Sequence, residues 1–212
     1  MVQENYTDIT FVLDRSGSMS GCVADTIGGF NSFIKKQRDV VGKCRINTYV
    51  FDNNYNQVHE NVPIQELGEL TDKEYNIGGM TAYYDALGRA IDDAGARFAK
   101  LAESKRPGRV LFVVITDGHE NASKEYSRAT VAAKIKTQET SYDWDFVFLG
   151  ADFDAVSEYG SLVGKAGRSV NYSKGHTTQA FNQLCSNVTS YRGTKTSAKN
   201  AVDLTANVGD SE

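Results

Sequence analysis

The chain is short of cysteine, of net positive charge and of long apolar runs, and each shortage removes a class of protein. Its three cysteines, Cys22, Cys44 and Cys185, are far apart and odd in number, and no C-x-x-C occurs. A disulfide framework or a cysteine-bound zinc is therefore not expected; buried free thiols in a reducing compartment are. The net charge is −4, whereas a nucleic-acid binder carries a basic face. No apolar run reaches the ~18 residues of a membrane span. The opening MVQENYTD has no basic segment followed by an apolar stretch, so no signal peptide is read. No internal repeat or low-complexity segment occurs. These features point to a cytoplasmic chain that engages neither nucleic acid nor membrane.

What is present is material for one packed domain: 212 residues, 40% apolar and 24% charged. Ile9 to Leu13 is apolar apart from Thr10, as in a strand buried on both faces. It stops at Asp14, after which Asp14, Ser16 and Ser18 alternate with Arg15 and Gly17. Val23, Ile27, Phe30 and Ile34 then recur at helical spacing. Gly28 and Gly29 weaken that helix by roughly 1 kcal/mol each relative to alanine and are read as permitting close packing on the sheet. Cys44–Phe51 and Gln57–Val62, joined by turn formers, predict an antiparallel hairpin. Thr71 and Glu74 have the form of a capping box. Leu87, Ala90, Ile91, Ala94, Phe98 and Leu101 share a helical stripe that ends before Pro107.

Arg109–Thr116 is the most hydrophobic run and reads as a central strand, with Asp117 directly after it. A helix over Ser123–Thr137, a strand over Trp144–Gly150, a helix over Asp154–Leu162 and a short strand over Arg168–Tyr172 follow. Phe181, Leu184, Cys185 and Val188 form a last amphipathic stripe. After Tyr191 the chain is polar and poor in aromatics. Residues 1–192 are read as the domain and 193–212 as a flexible tail.

This alternation predicts an α/β fold: a doubly wound, mostly parallel sheet with one antiparallel edge strand and helices on both faces, a Rossmann-like arrangement. Ligands in such sheets sit beyond the carboxyl ends of the strands, where the strand order reverses. If the two most apolar strands are neighbours there, Asp14 and Asp117 share a crevice. They repel unless a cation joins them or one is protonated. Thr81, after Gly78-Gly79 and before a helix, belongs to the same edge. Two carboxylates and three hydroxyls, without His or Cys, suit Mg²⁺, with Mn²⁺ or Ca²⁺ as alternatives, rather than zinc. Singly, each piece is ordinary: Asp and Ser favour turns and N-caps, and Asp-Gly favours turns. Their joint occurrence at the strand ends of one α/β pattern is what singles them out.

D-x-S-x-S after the first strand, Thr81 after a Gly-Gly loop and Asp117-Gly118 after a hydrophobic strand resemble the metal-ion-dependent adhesion site of von Willebrand factor A (vWA) domains. The resemblance spans about residues 5 to 190 and is nearest to stand-alone A-domain proteins of bacteria and their phages. It implies that Ser16 and Ser18 bind the metal directly, and Thr81 directly or through water. Asp14 and Asp117 would act largely through water, and a partner protein's exposed Asp or Glu would fill the last position. It implies a binding module, not an enzyme. Neutral hydroxyls donate less charge than carboxylates, so the ion stays attractive to an acidic side chain.

Around this set, His119 and Glu120 are candidates for a partner-binding rim, against a solvated loop. Tyr83 is a candidate for interface area, against simple packing. Asp85 and Asn121 are candidates for hydrogen-bonding the metal ligands, against capping roles. Asp152 and Asp154 either extend an acidic rim or cap a helix. His59 and His176 match no ligand cluster and read as structural. A structural or assembly subunit of a phage particle or larger complex is a compatible second function, and would be virion-associated. A Mg-dependent phosphoryl-transfer enzyme resembling haloacid-dehalogenase phosphatases is disfavoured. The position two after Asp14 is Ser16 rather than a carboxylate, and no partner lysine is evident. Oligomeric state is not legible.

Overall fold

A computed structural model describes residues 1–152, 162 and 168–209. The chain runs β1 (Gln3–Asp14), α1 (Val23–Gln37), β2 (Lys43–Phe51), β3 (Tyr55–Pro63), α2 (Tyr83–Ala99) and β4 (Pro107–Thr116). It continues through α3 (Arg128–Tyr142), β5 (Asp145–Ala151), β6 (Ser169–Tyr172) and α4 (Thr177–Gly193). One sheet has the order β3-β2-β1-β4-β5-β6. Every neighbouring pair is parallel except β2 and β3, so the antiparallel strand lies at an edge, as expected.

The two most apolar strands, β1 and β4, are adjacent at the centre, with Leu13 level with Ile115. The strand order reverses between them. Their side chains alternate between two cores. Phe11, Leu13, Val113 and Ile115 join Phe30 and Phe33 of α1 and Leu184 and Val188 of α4. Val12, Phe112 and Val114 join Leu87 and Ile91 of α2 and Val131 and Ile135 of α3. Burial on both faces is why these strands read as continuous apolar runs.

Three expectations are corrected. Gly29 approaches Phe181 of α4, not the sheet: a Cβ there would come within 2.4 Å of the ring, while Gly28 has nothing within 4 Å. The close approach is therefore helix to helix. The Thr71–Glu74 box forms as read, with Thr71 N–H donating to Glu74 Oε2 at 3.1 Å, and it closes a turn. α3 starts at Arg128 rather than Ser123. The amides of residues 122 to 126 are bound by the carboxylates of Glu120 and Asp85 instead, and Ser127 caps the helix by accepting from Thr130 N–H.

The third correction concerns the segment after α4, which is packed rather than a loose tail. Thr196–Ala201 forms a 3-10 turn. Lys199 is fully buried, with Nζ 2.5 Å from Asp145 Oδ2. Leu204 and Val208 join the α1–α4 core, and Asn187 Nδ2 donates to Leu204 O and Ala206 O. The helix expected over Asp154–Leu162 lies outside the described residues, Leu162 apart. Among the described residues, no helix is long and apolar enough to cross a membrane.

Candidate metal centre

β1 ends at Asp14, whose side chain bridges the two central strands. Its Oδ1 accepts Ser16 N–H at 2.7 Å, and its Oδ2 accepts the Thr116 hydroxyl of β4 at 2.6 Å. The residue is fully buried. Burial pushes its pKa up to about 6 despite the hydrogen bonds from Thr116 and Ser16, and nearby Asp117 adds to the rise. A carboxyl group so placed is stabilised as an anion by a positive charge close by.

The two serines follow on the next turn. Ser16 Oγ and Ser18 Oγ are 3.0 Å apart, and Ser18 Oγ donates to Asp117 Oδ1 at 2.6 Å. Asp117 arrives from β4, one residue past Thr116. The parallel pairing of β1 and β4 at the order reversal therefore joins residues 99 positions apart.

Thr81 is carried by a loop stitched to the first one. Gly17 N–H donates to Gly79 O at 3.2 Å, and Gly78 N–H to Arg15 O at 3.0 Å. Gly79 has φ +72°, and a Cβ there would come within 2.4 Å of Asn53 Oδ1, which accepts Met80 N–H at 2.7 Å. Glycine is needed at that position. Asn121 Oδ1 accepts Thr81 N–H at 2.9 Å, and Asn121 N–H donates to Thr81 O at 3.1 Å. These bonds tie Thr81 to the loop after Asp117. A Cβ on Gly118 would lie 3.4 Å from Thr81 Oγ1 and 3.5 Å from Ser18 Oγ, so both hydroxyls border one small space. Asp14, Ser16, Ser18, Thr81 and Asp117 thus meet at the switch point. Hard oxygen donors with few charges fit Mg²⁺, Mn²⁺ or Ca²⁺. No group of three or more His, Cys, Asp or Glu gathers among the described residues, so a metal here depends on the hydroxyls.

Of the surrounding candidates, several take the plainer of the two roles open to them. Tyr83 is fully buried between Phe51 and Phe148 and offers no rim area. Glu120 is turned inward: Oε2 accepts Tyr84 N–H at 2.9 Å at the start of α2, where the helix dipole favours an anion. Its Oε1 accepts the amides of Ala122 and Ser123. Asp85 binds the amides of Lys124, Glu125 and Tyr126 rather than any of the five oxygen donors. His119 is exposed at the rim, as is Met80 beside Thr81. Asp152 Oδ1 accepts Lys174 N–H at 3.0 Å, and Asp154 lies outside the described residues. His59 stacks on Phe30.

Two residues of the centre went unread in the sequence. Thr116 holds Asp14. Lys174 places Nζ 2.5 Å from Asp117 Oδ2 and donates to Ser18 O at 3.1 Å, so a lysine is after all at hand. Burial works against its charge, but Asp117 outweighs burial and holds the ammonium pKa above its usual value. The signal for it was positional: Lys174 lies just past β6, a parallel strand ending at the same edge.

An open, mostly parallel sheet with its polar cluster at the order reversal defines a Rossmann-like domain. The chain belongs to the von Willebrand factor type A domain family, whose model matches residues 8–184. Among solved structures, proximal thread matrix protein 1 from the mussel byssus has 15% identity and a TM-score of 0.58, the match covering 88% of this chain and 46% of that one. The vWF domain of the type V pili tip protein Mfa5 from Porphyromonas gingivalis has 9% identity and a TM-score of 0.61, over 88% of this chain and 96% of that one. The pilus adhesin SpaC from Lactobacillus rhamnosus GG has 12% identity and a TM-score of 0.61, over 86% and 30%. The chain therefore spans about half of the matrix protein and under a third of SpaC. At these identities the likeness is one of fold. No curated protein matches the chain.

Proposed function

We propose that this chain is a metal-dependent protein-binding module. Asp14, Ser16, Ser18, Thr81 and Asp117 hold a divalent cation, Mg²⁺ by preference with Mn²⁺ or Ca²⁺ as alternatives, and an acidic side chain of a partner protein completes its coordination. The observation that carries this reading is the meeting of two carboxylates and three hydroxyls at the β1–β4 switch point. The bound ion supplies an electrophilic centre. The chain's residues set its charge, and His119 and Met80 frame the approach. Adhesin and matrix relatives of the same fold agree with a binding role. We place the protein in the cytoplasm, or on a virion if phage-encoded, where the same surface would serve assembly.

Lys174 supplies the lysine that a phosphatase reading lacked. That reading still wants a second carboxylate at Ser16 and a reachable nucleophile, whereas both oxygens of Asp14 are engaged and buried. The chain is therefore proposed as a non-enzyme.

Calorimetric titration with Mg²⁺ and Mn²⁺ tests the module. Ser18→Ala or Asp117→Ala is expected to weaken metal binding by about 10- to 100-fold while the thermal melt stays cooperative. Unchanged affinity in both variants would sink the reading. Pull-down from the native host with and without chelator then identifies partners as the proteins lost on chelation.

A further inference from the structure

We propose that Lys174 is an internal cation of this centre, which the metal must displace to bind. The inference rests on the metal reading above and adds to it a residue of the chain that competes with the ion. Both oxygens of Asp117 are taken from within the chain: Ser18 Oγ holds Oδ1 at 2.6 Å, and Lys174 Nζ sits 2.5 Å from Oδ2. The ammonium also donates to Ser18 O at 3.1 Å, so it is seated on the loop that carries the serine hydroxyls. The Asp117 side chain is fully buried and that of Lys174 is 23% exposed. Asp152 is the other acidic group on the lysine, but it holds the backbone N–H rather than the ammonium.

The charge count explains the arrangement. Asp14 and Asp117 form a pair of like charges in one crevice, and one ammonium offsets part of their repulsion. A divalent ion at the five oxygens brings two positive charges to the place where Lys174 brings one. Ammonium and dication then repel at short range, and both compete for Asp117. Binding is therefore an exchange. The exchange sets a threshold for the ion: a monovalent cation gains no charge over the lysine it displaces, and a divalent one gains a full unit. Lys174 is in this sense a specificity-determining residue.

Its place in the chain gives the exchange a second consequence. Lys174 opens the 3-10 turn Lys174–His176 that leads into α4, and Thr177 Oγ1 donates to Lys174 O at 2.8 Å. Releasing the ammonium frees the strap between β6 and α4 from the metal centre.

Titration of Mn²⁺ and Mg²⁺ into the wild type, Lys174→Met, Lys174→Gln and Lys174→Arg tests the proposal. The two neutral variants are expected to bind at least about tenfold more tightly, one lost charge competition, and Lys174→Arg to stay near the wild type. The melting temperature should fall in the metal-free neutral variants, because Asp117 loses its counter-charge, yet rise more on adding metal. A merely structural lysine would not produce that crossing. Hydrogen exchange at residues 174–180 should quicken with metal in the wild type and stay unchanged in Lys174→Met. Equal or weaker metal binding by both neutral variants overturns the displacement while leaving the metal centre standing. Absence of binding by every variant overturns the metal reading itself, and the displacement with it.

Discussion

At the scale of single residues, Asp14 is held from two sides, by Ser16 N–H and by the Thr116 hydroxyl of the neighbouring strand. Asp14, Ser16, Ser18 and Asp117 stand at or just past strand ends that the apolar runs mark out, and Thr81 in the loop before α2. Thr116 sits inside such a run and reads as one more strand residue, so its bond to Asp14 is visible only once β1 and β4 are paired. Asp8 is a similar case. It is fully buried within β1, with Oδ1 accepting from Arg97 and Asn47 at 2.9 Å. Burial outweighs these partners and raises its pKa to about 6. The folded chain then binds this proton more tightly than the unfolded chain does. Folded stability is favoured at low pH and lost as pH rises from about 4 to about 6, by roughly 3 kcal/mol for a two-unit shift. Asp14 acts in the same window with the same sign. Asp8→Asn is therefore expected to remove Asp8's share, about half of the combined loss from the two groups, as read from urea midpoints between pH 4 and 7. An unchanged pH profile would show that Arg97 keeps Asp8 ionised throughout.

At the scale of elements, the order of strands and helices is readable from periodicity, but how the helices touch each other is not. Glycines in α1 signalled a close approach that was assigned to the sheet, because helical periodicity reports a buried face and not its partner. That neighbour is Phe181 of α4. Gly29→Ala is expected to cost about 1–3 kcal/mol through overpacking, seen as a lower melting temperature. Adding Phe181→Leu should recover part of the loss, and full additivity of the two changes would mean that the contact is not the cause. The start of α3 was misread for a related reason. Ser123 looks like an N-cap, but Asp85 claims the three amides after it, and no local rule anticipates a carboxylate arriving from α2.

At the scale of the whole molecule, the fold class and the switch point followed from alternation and hydrophobicity alone. The boundary did not. Composition makes residues 193–209 look solvated, yet Lys199 closes on Asp145, which also holds Arg168 at 3.1 Å and Tyr191 at 2.7 Å. A buried ion pair across 54 residues leaves no trace in local polarity. Removing residues 194–212 is expected to destabilise the domain by about 3–5 kcal/mol, because it strips Asp145 of one cation and uncovers the core under Leu204 and Val208. Differential scanning calorimetry would register that loss, and an unchanged transition would restore the loose-tail reading.

The position of β4 beside β1 also sets a timetable. During synthesis, β1, β2 and β3 can assemble from the first 63 residues, and Thr81 follows soon after. The sheet's central seam stays open until β4 emerges with Thr116 and Asp117. Until then Asp14 lacks the hydroxyl that holds it and Ser18 lacks its carboxylate. A half-made chain thus lacks the proposed metal centre, which is complete only when the seam closes. The same geometry leaves one flank of β1 unpaired on the ribosome for the length of α2, which makes that interval the molecule's period of greatest exposure to mispairing.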